Sequence, residues 1–406
     1  MLSREDNELV TRVGPGSVMG DVLRRFWVIV GRSEALRADG DPVRVRLFGR
    51  NFVAFRATDG RVGVFDEACP HRGASLLLAR NEDCALTCIF HGWKFDVSGQ
   101  TVAVPTEPPE REAAFRAKVP LRAYPVREAG TVIWAYLGDG EAPPFPDFEF
   151  THLPDDQVFS RVAYTHCNWL QGVEATIDSS HASILHKSWV AERSREWASF
   201  QADSAPVYDL DVTSYGVRAA ALRNFTDGRM NVRVTEFVLP FYAFIPFEAP
   251  RNVIFSMPVD DEWTAQWYIF YNSEGSIAEY MAQHDRRYPG DPNNFYQPKG
   301  TFENRWLQDR AKLHGHWTGM PGLIYEDFVV EESMGPIVDR AKEYLGSSDA
   351  LIVRVRRELL KMARAHAAGE RDAGPPPDVD YPSIRARNTM LDKGADWRHA
   401  LHYQVS

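Results

Sequence analysis

The sequence predicts an α+β protein built from two units, each based on antiparallel β-structure. Short runs of β-forming residues alternate with turns from Trp27 to about Gly140, and longer β-rich runs appear after residue 150. Short, evenly spaced strands are typical of a small antiparallel unit, and the longer runs predict one curved sheet. We therefore expect a helical segment at 1–26, a first unit at 27–148 and a second unit at 149–406.

The elements of the first half follow in chain order. Residues 4–26 have the pattern of an amphipathic helix that is interrupted near Gly14-Pro15-Gly16. Turn pairs such as Asp59-Gly60 and Ser98-Gly99 separate the strands that follow. The expected strands are Val43–Phe48, Phe52–Arg56, Val62–Phe65, Ile89–Phe95 and Val132–Tyr136. The proline-rich segment 141–147 is typical of a linker.

The second half has longer elements. Residues 162–187 are expected to be helical in part, and residues 275–320 have the composition of a long insertion. Apolar residues repeat at helical spacing between Asp349 and His366, which predicts a helix there. An irregular tail is expected from Pro375 onward. The expected strands of the curved sheet are Val207–Arg223, Val232–Ile245, Val253–Val259 and Thr264–Tyr271.

Composition and charge narrow the possible partners. The 406-residue chain is 44% hydrophobic and 25% charged, and its formal net charge is −10. Nucleic acids and anionic membranes are bound by basic surfaces, so neither is an expected partner. The acidic N-terminus lacks the features of a secretion signal, and no run of about 18 apolar residues occurs. We therefore expect a cytoplasmic protein without a membrane span.

Two pairs of cysteine and histidine lie close together in a chain that holds only four cysteines. The pairs are Cys69-x-His71 and Cys88-x-x-His91. Such a set can hold zinc tetrahedrally. The turn-forming residues Pro70, Gly73 and Gly92 instead favour two facing loops around a compact cluster. Two thiolates then hold one iron and two imidazoles hold the other, which is the arrangement of a Rieske [2Fe–2S] cluster.

The residues around these pairs resemble those of one protein family. Cys-Pro-His-Arg-Gly-Ala at 69–74 and Cys-x-x-His-Gly-Trp-Lys-Phe-Asp at 88–96 are similar to the Rieske domain of the Rieske non-haem iron oxygenases. Rieske ferredoxins carry the same motif, so it does not by itself identify an enzyme. Respiratory-chain Rieske proteins usually add a cysteine after each pair, and Ala74 and Gly92 at these positions disfavour that branch. Phe90 stands where the oxygenases commonly have tyrosine, and Cys84 is expected to be structural.

A second set of metal-binding residues follows at Asp178-x-x-His181-x-x-x-x-His186. Five residues of a regular helix rotate by roughly 140°, so both imidazoles can meet at one ion only if the helix is distorted between them. The pattern resembles the mononuclear iron motif of the same oxygenases. The resemblance implies Fe(II) held by His181, His186 and one carboxylate, with open positions for O₂.

The third ligand must come from a later part of the chain. Residues 325–340 resemble a segment of the phthalate dioxygenase-like branch, in which an Asp precedes a Ser-x-Gly-Pro-Ile-x-Asp-Arg run. The residue-by-residue match gives Asp327 as the ligand. Glu326, Glu331 and Glu332 are the alternatives, although charged residues of this kind are usually solvated.

The resemblance gives two further residues a role. Asp178 matches a residue that accepts a hydrogen bond from the second Rieske histidine of a neighbouring subunit, here His91. The same residue contacts an iron-bound histidine, here His181. A carboxylate between two metal-bound imidazoles orients both rings; the alternative for Asp178 is a residue on a helix surface. Asn168 matches a position close to the iron.

The resemblance covers nearly the whole chain and is closest to the phthalate dioxygenase-like branch. It implies a catalytic domain of the helix-grip (START-like) fold, with the segment 1–26 packed on it. It also implies a homotrimer or a trimer-based hexamer without a β subunit. A flavin and iron–sulfur reductase is the expected source of electrons from NADH or NADPH. The expected reaction is the hydroxylation of an aromatic substrate with O₂.

The substrate is expected to be an aromatic carboxylate such as phthalate, phenoxybenzoate or chlorobenzoate. A carboxylate requires a cationic partner, and Arg223, Arg229 and Arg233 lie on the predicted sheet. Arg223 alternates with small apolar residues, so it is expected to point inward; Arg223 and Arg233 are the candidate substrate-binding residues. Candidates for an aromatic pocket or for the core are Phe237, Phe241, Tyr242, Phe244 and Phe247.

Two other functions remain open at this point. One is a monooxygenase of the same family, for example an O- or N-demethylase. The other is a Rieske electron-transfer protein whose C-terminal domain has lost its iron. Because Asp178, His181, His186 and Asp327 are all present, the sequence favours an enzyme over a carrier.

Overall fold

The computed structural model of the chain describes residues 1–191, 200, 203–247, 249–296, 300–370, 374–376 and 378–403. The helices are α1 Arg4–Thr11, α2 Val18–Leu23, α3 Pro109–Arg116, α4 Trp169–Ile177, α5 Lys187–Ala191, α6 Ala278–Arg287, α7 Leu323–Ser333, α8 Ala350–Ala367 and α9 Trp397–Ala400. The 3₁₀ turns are Ser33–Ala35, Leu76–Leu78, Glu149–His152, His181–Ser183, Arg305–Leu307, Arg310–His314, Ser347–Asp349 and Tyr381–Ser383.

Strands β1 to β10 belong to the first half and β11 to β18 to the second. The first ten are Trp27–Arg32, Val43–Leu47, Arg50–Arg56, Val62–Asp66, Arg80–Glu82, Ala85–Thr87, Lys94–Asp96, Thr101–Ala103, Val126–Ala129 and Val132–Tyr136. The other eight are Val158–Thr165, Val207–Val212, Gly216–Asn224, Arg229–Val238, Tyr242–Ile245, Arg251–Pro258, Thr264–Tyr271 and Arg387–Asp392.

Three small antiparallel sheets make up the first half. Their strand orders are β1-β10-β9, β2-β3-β4 and β5-β6-β7-β8. The loop with Cys69 and His71 lies between β4 and β5, and the loop with Cys88 and His91 lies between β6 and β7. The second half contains one eight-stranded antiparallel sheet of order β11-β17-β16-β15-β14-β13-β12, in which β18 also pairs with β14. The α+β fold is therefore confirmed.

Most of the predicted strands of the first half are confirmed within two residues, and one is wrong. The run Ile89–Phe95 is not a strand, because β6 ends at Thr87 and β7 begins at Lys94. Between them the Cys88 amide donates to the carbonyl of Trp93 at 2.8 Å, which closes a turn. Most of the β-forming residues of this run therefore lie in a loop.

Two long strands predicted in the second half are hairpins. The run Val207–Arg223 contains β12 and β13, which are joined by a turn in which the Thr213 amide donates to the Gly216 carbonyl at 2.9 Å. The run Val232–Ile245 contains parts of β14 and β15, and Pro240 between them cannot donate a ladder hydrogen bond. The tail is not irregular, because β18 and α9 lie in it. The insertion at 275–320 contains α6, and its residues 297–299 lie outside the described part of the chain.

The predicted N-terminal helical segment is confirmed as two helices. Ser3 and Ser17 accept hydrogen bonds from backbone amides in the first turns of α1 and α2, so both helices are capped. Both helices pack against α8, and α4 packs against β15, β16 and β17. Within the described ranges, none of the helices combines the length and the apolar composition needed to cross a membrane.

A buried ionic network ties α4 to its surroundings. The Glu174 carboxylate of α4 accepts hydrogen bonds from Arg340 Nε at 2.9 Å and from Arg356 Nε at 2.6 Å. Arg340 also donates to Asn7 Oδ1 of α1 at 3.2 Å. Both guanidinium groups are buried. Because α4 runs directly into Asp178, this network fixes the helix from which the iron motif begins.

We predict that Glu174→Ala will lower the free energy of unfolding by about 3–5 kcal/mol, because it leaves two buried guanidinium groups without their shared carboxylate. Denaturant unfolding monitored by circular dichroism measures this change. Glu8→Ala is the control, since Glu8 forms an exposed pair with Arg12 on α1 and should change stability by less than about 1 kcal/mol. Equal effects of the two substitutions would contradict the prediction.

Candidate active site

The two loops that carry the Cys and His pairs have the same backbone pattern. Amides of Gly73 and Gly92 donate to the carbonyls of Cys69 and Cys88 at 2.8 and 2.9 Å, and amides of Cys69 and Cys88 donate to the carbonyls of Ala74 and Trp93 at 2.8 Å each. Gly73 and Gly92 have φ angles of 75° and 73°, a region that favours glycine. Each pair therefore has the same local setting, as expected for two loops around one centre.

The side chains of the two loops lie close together. Cys69 and Cys88 are buried, and the ring centroids of His71 and His91 are 4.5 Å apart. The indole of Trp93 stacks on His71 at 4.3 Å. His91 Nδ1 is buried and has no hydrogen-bond partner among the described residues. A buried imidazole nitrogen in this setting is available to bind a metal.

The electrostatics of the four side chains agree with a metal cluster. Burial, together with the neighbouring Cys88 thiol, raises the pKa of Cys69 to about 11, so its thiolate requires a compensating cation. Burial and the nearby His71 and Arg72 lower the pKa of His91, which favours the neutral imidazole that a metal requires. Two thiols and two imidazoles are the donor set of a Rieske [2Fe–2S] cluster.

The second group of metal-binding residues forms where α4 ends. The chain leaves helical geometry at Asp178, with φ −75° and ψ 111°. His181 begins a short 3₁₀ turn, and α-helix resumes only at Lys187. The distortion that the five-residue spacing predicts is thus confirmed. Ligand atoms of His181, His186 and Asp327 all lie within 4.8 Å of one another, a separation that one metal ion can bridge.

Each imidazole of this group lies between two carboxylates. His181 Nδ1 is 3.4 Å from Asp178 Oδ2, and His186 Nδ1 is 2.7 Å from Glu326 Oε2. The opposite nitrogens, Nε2 of His181 and Nε2 of His186, lie 3.5 and 3.1 Å from Asp327 Oδ1. Both Nε2 atoms therefore face Asp327, while Asp178 and Glu326 lie behind the rings. This geometry favours Asp327 over the adjacent Glu326 as the third ligand.

The charge at this point of the structure suits a cation. Burial disfavours the imidazolium form of His186, but Asp327 and Glu326 outweigh burial and raise the pKa of His186 to about 9. A metal ion bound at Nε2 would replace that proton. A pair of imidazoles and one carboxylate is the donor set of mononuclear non-haem Fe(II), so the residues fit the expected ion.

A cavity of about 250 Å³ lies beside the three candidate ligands. Its apolar and aromatic lining includes Ile245, Phe247, Ile254, Tyr268, Phe270, Tyr280, Tyr288, Leu323 and Ile324. Its polar lining includes Asp178, Arg233, Thr235, Asn252, His284 and Glu331 together with the three candidate ligands. A cavity that combines an apolar and aromatic wall with converging polar groups is typical of a site for a small organic ligand.

The structure separates the two arginines that the sequence proposed for substrate binding. Arg233 lines the cavity. Arg223 is fully buried, as expected for an inward-pointing residue, but it does not line the cavity. Its guanidinium donates to the carbonyls of Ser179 at 2.6 Å and of Asp203 at 3.1 Å. The structure therefore does not support Arg223 as a substrate-binding residue.

The structure also corrects the expectation for Asn168. Its side chain caps the N-terminus of α4 and donates to the carbonyls of Thr11 and Asp261 at 2.9 and 2.7 Å. It does not line the cavity, and the length of α4 places it about 14 Å along the helix from the break at Asp178. Of the five aromatic candidates only Phe247 lines the cavity, and the others belong to the hydrophobic core.

The positions of three buried polar residues of this region, Glu326, Glu331 and His284, differ from what the sequence predicted. Glu326 orients His186 and accepts a hydrogen bond from the Thr318 hydroxyl. Burial and the nearby Asp327 carboxylate raise the pKa of Glu331, which also lines the cavity, well above its ordinary value. His284 accepts a hydrogen bond at Nδ1 from Arg161 Nη1 at 3.0 Å, which places the imidazole proton on Nε2. Glu326 and Glu331 were alternatives for the third ligand, whereas His284 had no signal in the sequence.

Comparisons with known families cover both halves of the chain. Residues 26–125 match the model of the Rieske [2Fe–2S] domain, and residues 135–405 match the model described as LigXa C-terminal domain like. The phthalate 4,5-dioxygenase oxygenase subunit of Pseudomonas putida is 38% identical over 98% of this chain and 94% of its own length. This chain belongs to the Rieske non-haem iron oxygenases. The resemblance inferred from the two motifs is thereby confirmed.

Other Rieske oxygenases are similar over most of their length. The 3-chlorobenzoate-3,4-dioxygenase oxygenase subunit of Comamonas testosteroni is 34% identical, covering 100% of this chain and 99% of the relative. The 5,5'-dehydrodivanillate O-demethylase oxygenase subunit of a Sphingobium species is 30% identical, covering 91% of this chain and 82% of the relative. The crystal structure of dicamba monooxygenase bound to dicamba has a TM-score of 0.61 at 20% identity, covering 85% of this chain and 99% of that one, which shows the shared fold.

Membership of the Rieske oxygenases establishes the class of activity. The chain is the oxygenase component of an oxidoreductase system, with a Rieske [2Fe–2S] domain and the mononuclear iron of its family. Oxygenase components of this kind receive electrons that originate from NADH through a reductase or ferredoxin partner. The electron-carrier alternative is therefore set aside.

We predict that Glu326→Ala will weaken Fe(II) binding about 10- to 100-fold, because His186 then lacks the carboxylate that orients it. Competition with a chelator, on protein whose iron–sulfur cluster is intact, measures the affinity. Glu332→Gln is the matched control, since Glu332 lies on the same helix but bonds to His166 and Trp306. Unchanged affinity in Glu326→Ala would show that Glu326 does not orient the ligand.

Proposed function

We propose that this chain is the terminal oxygenase that hydroxylates an aromatic carboxylate with O₂. The observation that carries the proposal is a single cavity lined by His181, His186, Asp327 and Arg233. An aromatic ring fits the apolar lining, and a guanidinium is the preferred partner of a carboxylate. The two relatives named for phthalate and 3-chlorobenzoate dioxygenation support the same substrate class.

We propose the following roles for the residues of the two centres. Ligands of the Rieske cluster are Cys69, His71, Cys88 and His91, and ligands of the mononuclear iron are His181, His186 and Asp327. When bound, the cluster supplies electrons and the iron supplies the chemistry of O₂ activation. Asp178 and Glu326 orient the two imidazoles through Nδ1. Arg233 orients the substrate, and the apolar lining excludes water.

The two centres are proposed to meet across a subunit boundary. Among the described residues, the hydrogen bonds and ion pairs of the Asp178 carboxylate involve Ser180 and His181. Beside His91, the exposed apolar side chains of Ile89 and Phe90 would suit contact with a second copy. We propose that His91 of one chain donates to Asp178 of the next in a homotrimer or trimer-based hexamer without a β subunit.

The proposed setting follows from the same assignment. The electrons come from NADH or NADPH through a flavin and iron–sulfur reductase, and the protein acts in the cytoplasm. The division at 1–26, 27–148 and 149–406 separates the helical segment, the cluster-binding unit and the catalytic unit. The strands of the three small sheets and of the large sheet fall on either side of residue 148.

An O- or N-demethylation is the alternative reaction for the same cavity. The similarity of this chain to an O-demethylase oxygenase subunit supports demethylation as this second candidate. Product analysis separates the two reactions, since dioxygenation gives a cis-diol and demethylation gives a dealkylated product plus an aldehyde. Phthalate, 3-chlorobenzoate and a methoxybenzoate, each with a surrogate reductase, are the test substrates. O₂ uptake without product from every carboxylate would overturn the proposed substrate class.

We predict that His181→Ala will abolish turnover and lower the iron content from about three to about two atoms per chain, since the cluster holds two and the cavity one. Iron analysis measures the total iron per chain, and the visible spectrum measures the part that belongs to the cluster. His152→Ala is the control, because His152 lies in a 3₁₀ turn outside the cavity and pairs with Asp147. Full turnover by His181→Ala would refute the assignment of His181.

We predict that Arg233→Met will raise the KM for an aromatic carboxylate roughly 10- to 100-fold, as expected when one charged hydrogen bond is lost. Steady-state kinetics measure the change against the unchanged cluster spectrum. Arg229→Met is the matched control, since Arg229 begins the same strand but is exposed and bonds to Asp227. Equal KM values for the two variants would show that Arg233 does not bind the substrate carboxylate.

A further inference from the structure

A tight turn at residues 316–319 closes the long insertion that precedes α7. The Asp309 amide donates to the Gly319 carbonyl at 3.0 Å, and Gln308 Nε2 donates to the Thr318 carbonyl at 2.7 Å. Gly319 has a φ angle of 70°, and a Cβ atom at this position would lie 2.4 Å from the Asp309 carbonyl oxygen. Because only glycine allows such a close approach of two backbone segments, the turn has a defined position.

This turn contacts the surroundings of the candidate ligand His186 at two points. The Trp317 amide donates to the Ser188 hydroxyl at 2.7 Å, two residues after His186. The Thr318 hydroxyl donates to Oε1 of Glu326, and Oε2 of the same carboxylate lies 2.7 Å from His186 Nδ1. One contact therefore holds the backbone that follows His186, and the other holds the carboxylate behind its ring.

The hydrogen bonds of Thr318 determine where its hydroxyl proton points. A threonine hydroxyl has one proton to donate, and Oγ1 accepts from the Met320 amide at 3.2 Å. Two acceptors lie near it, namely Oε1 of Glu326 and, at 3.4 Å, Nδ1 of His316. His316 Nδ1 already accepts from the Gly319 amide at 3.0 Å. Since hydrogen bonds to a carboxylate are the stronger kind, the proton is donated to Glu326.

The Glu326 carboxylate depends on this hydroxyl because it is buried. Glu326 is 1% exposed, and its side-chain hydrogen bonds with described residues are those to Thr318 and His186. Without the hydroxyl, Oε1 would be a buried polar atom that has lost its partner, which is unfavourable. The carboxylate would then reorient, and Oε2 would no longer be fixed against His186.

We propose that Thr318 is a positioning residue for the mononuclear iron site and acts on His186 through Glu326. The inference rests on the proposed function, in which His186 is a ligand of that iron. Gln308 and Gly319 support the same role one step further away, because they hold the turn that carries Thr318. The insertion thereby contributes to the metal site without supplying a ligand.

The first test measures the affinity of the mononuclear site for Fe(II) by competition with a chelator, on protein whose iron–sulfur cluster is intact. Thr318→Val keeps the shape of the side chain but lacks the hydroxyl, and it is expected to weaken binding about 3- to 10-fold, less than Glu326→Ala. Thr318→Ser keeps the hydroxyl and should bind within about twofold of the unmodified chain. Thr318→Val combined with Glu326→Ala should bind no more weakly than Glu326→Ala alone, because Thr318 acts through Glu326.

Thr58→Val is the matched control. The Thr58 hydroxyl also donates to a carboxylate, Asp39 Oδ1 at 2.7 Å, and also accepts from a backbone amide, that of Cys84 at 3.0 Å, but it lies in the first unit. This variant should leave the Fe(II) affinity unchanged. Thr318→Ala repeats the measurement without a branched side chain, so the result does not depend on the folding of one variant. Normal affinity in both Thr318→Val and Thr318→Ala would overturn the proposal.

A spectroscopic test separates positioning from a general loss of stability. Nitric oxide, added as a probe at saturating Fe(II), gives an electron paramagnetic resonance signal whose shape depends on the geometry of the ligands. Thr318→Val is expected to show a second species that is absent from Thr318→Ser. An unchanged signal together with a lowered midpoint of unfolding would show a merely structural role and would overturn the proposal.

The affinities also separate this inference from the proposed function. If Glu326→Ala binds Fe(II) normally, the orienting role of Glu326 in the proposed function fails. If Glu326→Ala is weakened and the Thr318 variants are normal, only the role of Thr318 fails.

Discussion

Two imidazoles five residues apart can face one metal ion only where the chain leaves helical geometry, and the rest of the site depends on this break at Asp178. A break in the backbone exposes polar groups that must be satisfied. The Asp178 carboxylate accepts hydrogen bonds from two of the backbone amides that follow it, those of Ser180 and His181. On the other side of the break, Glu174 anchors α4 through two buried arginines. A rigid helix therefore ends in a defined turn, and the turn presents His181 to the cavity.

The carboxylates around the imidazoles explain why the site suits a cation. Three carboxylates next to two imidazoles are unfavourable in a partly buried place unless a positive charge is present. Consecutive residues of a helix point about 100° apart, so Glu326 and Asp327 reach opposite nitrogens of the same His186 ring. Asp327 is thereby oriented toward the metal position, and Glu326 lies behind the His186 ring. A short acidic pair on α7 supplies both functions.

Much of this arrangement was predictable from the sequence, because metal ligands at fixed spacings are strong local signals. The Cys and His pairs, the two histidines and the helical break all follow from positions close together in the chain. The pairing of Glu326 with His186 was not predictable, because it depends on how α7 packs against residues 140 positions earlier. The same holds for His284, whose tautomer is set by Arg161 on β11. Alternation along β13 predicted that Arg223 is buried but could not reveal that backbone oxygens occupy its N–H groups.

The charges in the cavity distinguish the end that holds the candidate metal ligands from the end that holds Arg233. An ionised carboxylate one helical turn from Asp327 would repel an anionic substrate, but burial raises the pKa of Glu331 well above its ordinary value, and Gln266 Nε2 donates to its carboxyl group at 2.6 Å. Arg161 binds Nδ1 of His284, so this imidazole is a neutral donor rather than a second cation. With a divalent ion balancing the carboxylates near the ligands, Arg233 is the guanidinium among the described residues that line the cavity. An aromatic acid would then bind with its carboxylate toward β14 and its ring toward the metal, which is the orientation that ring oxidation requires.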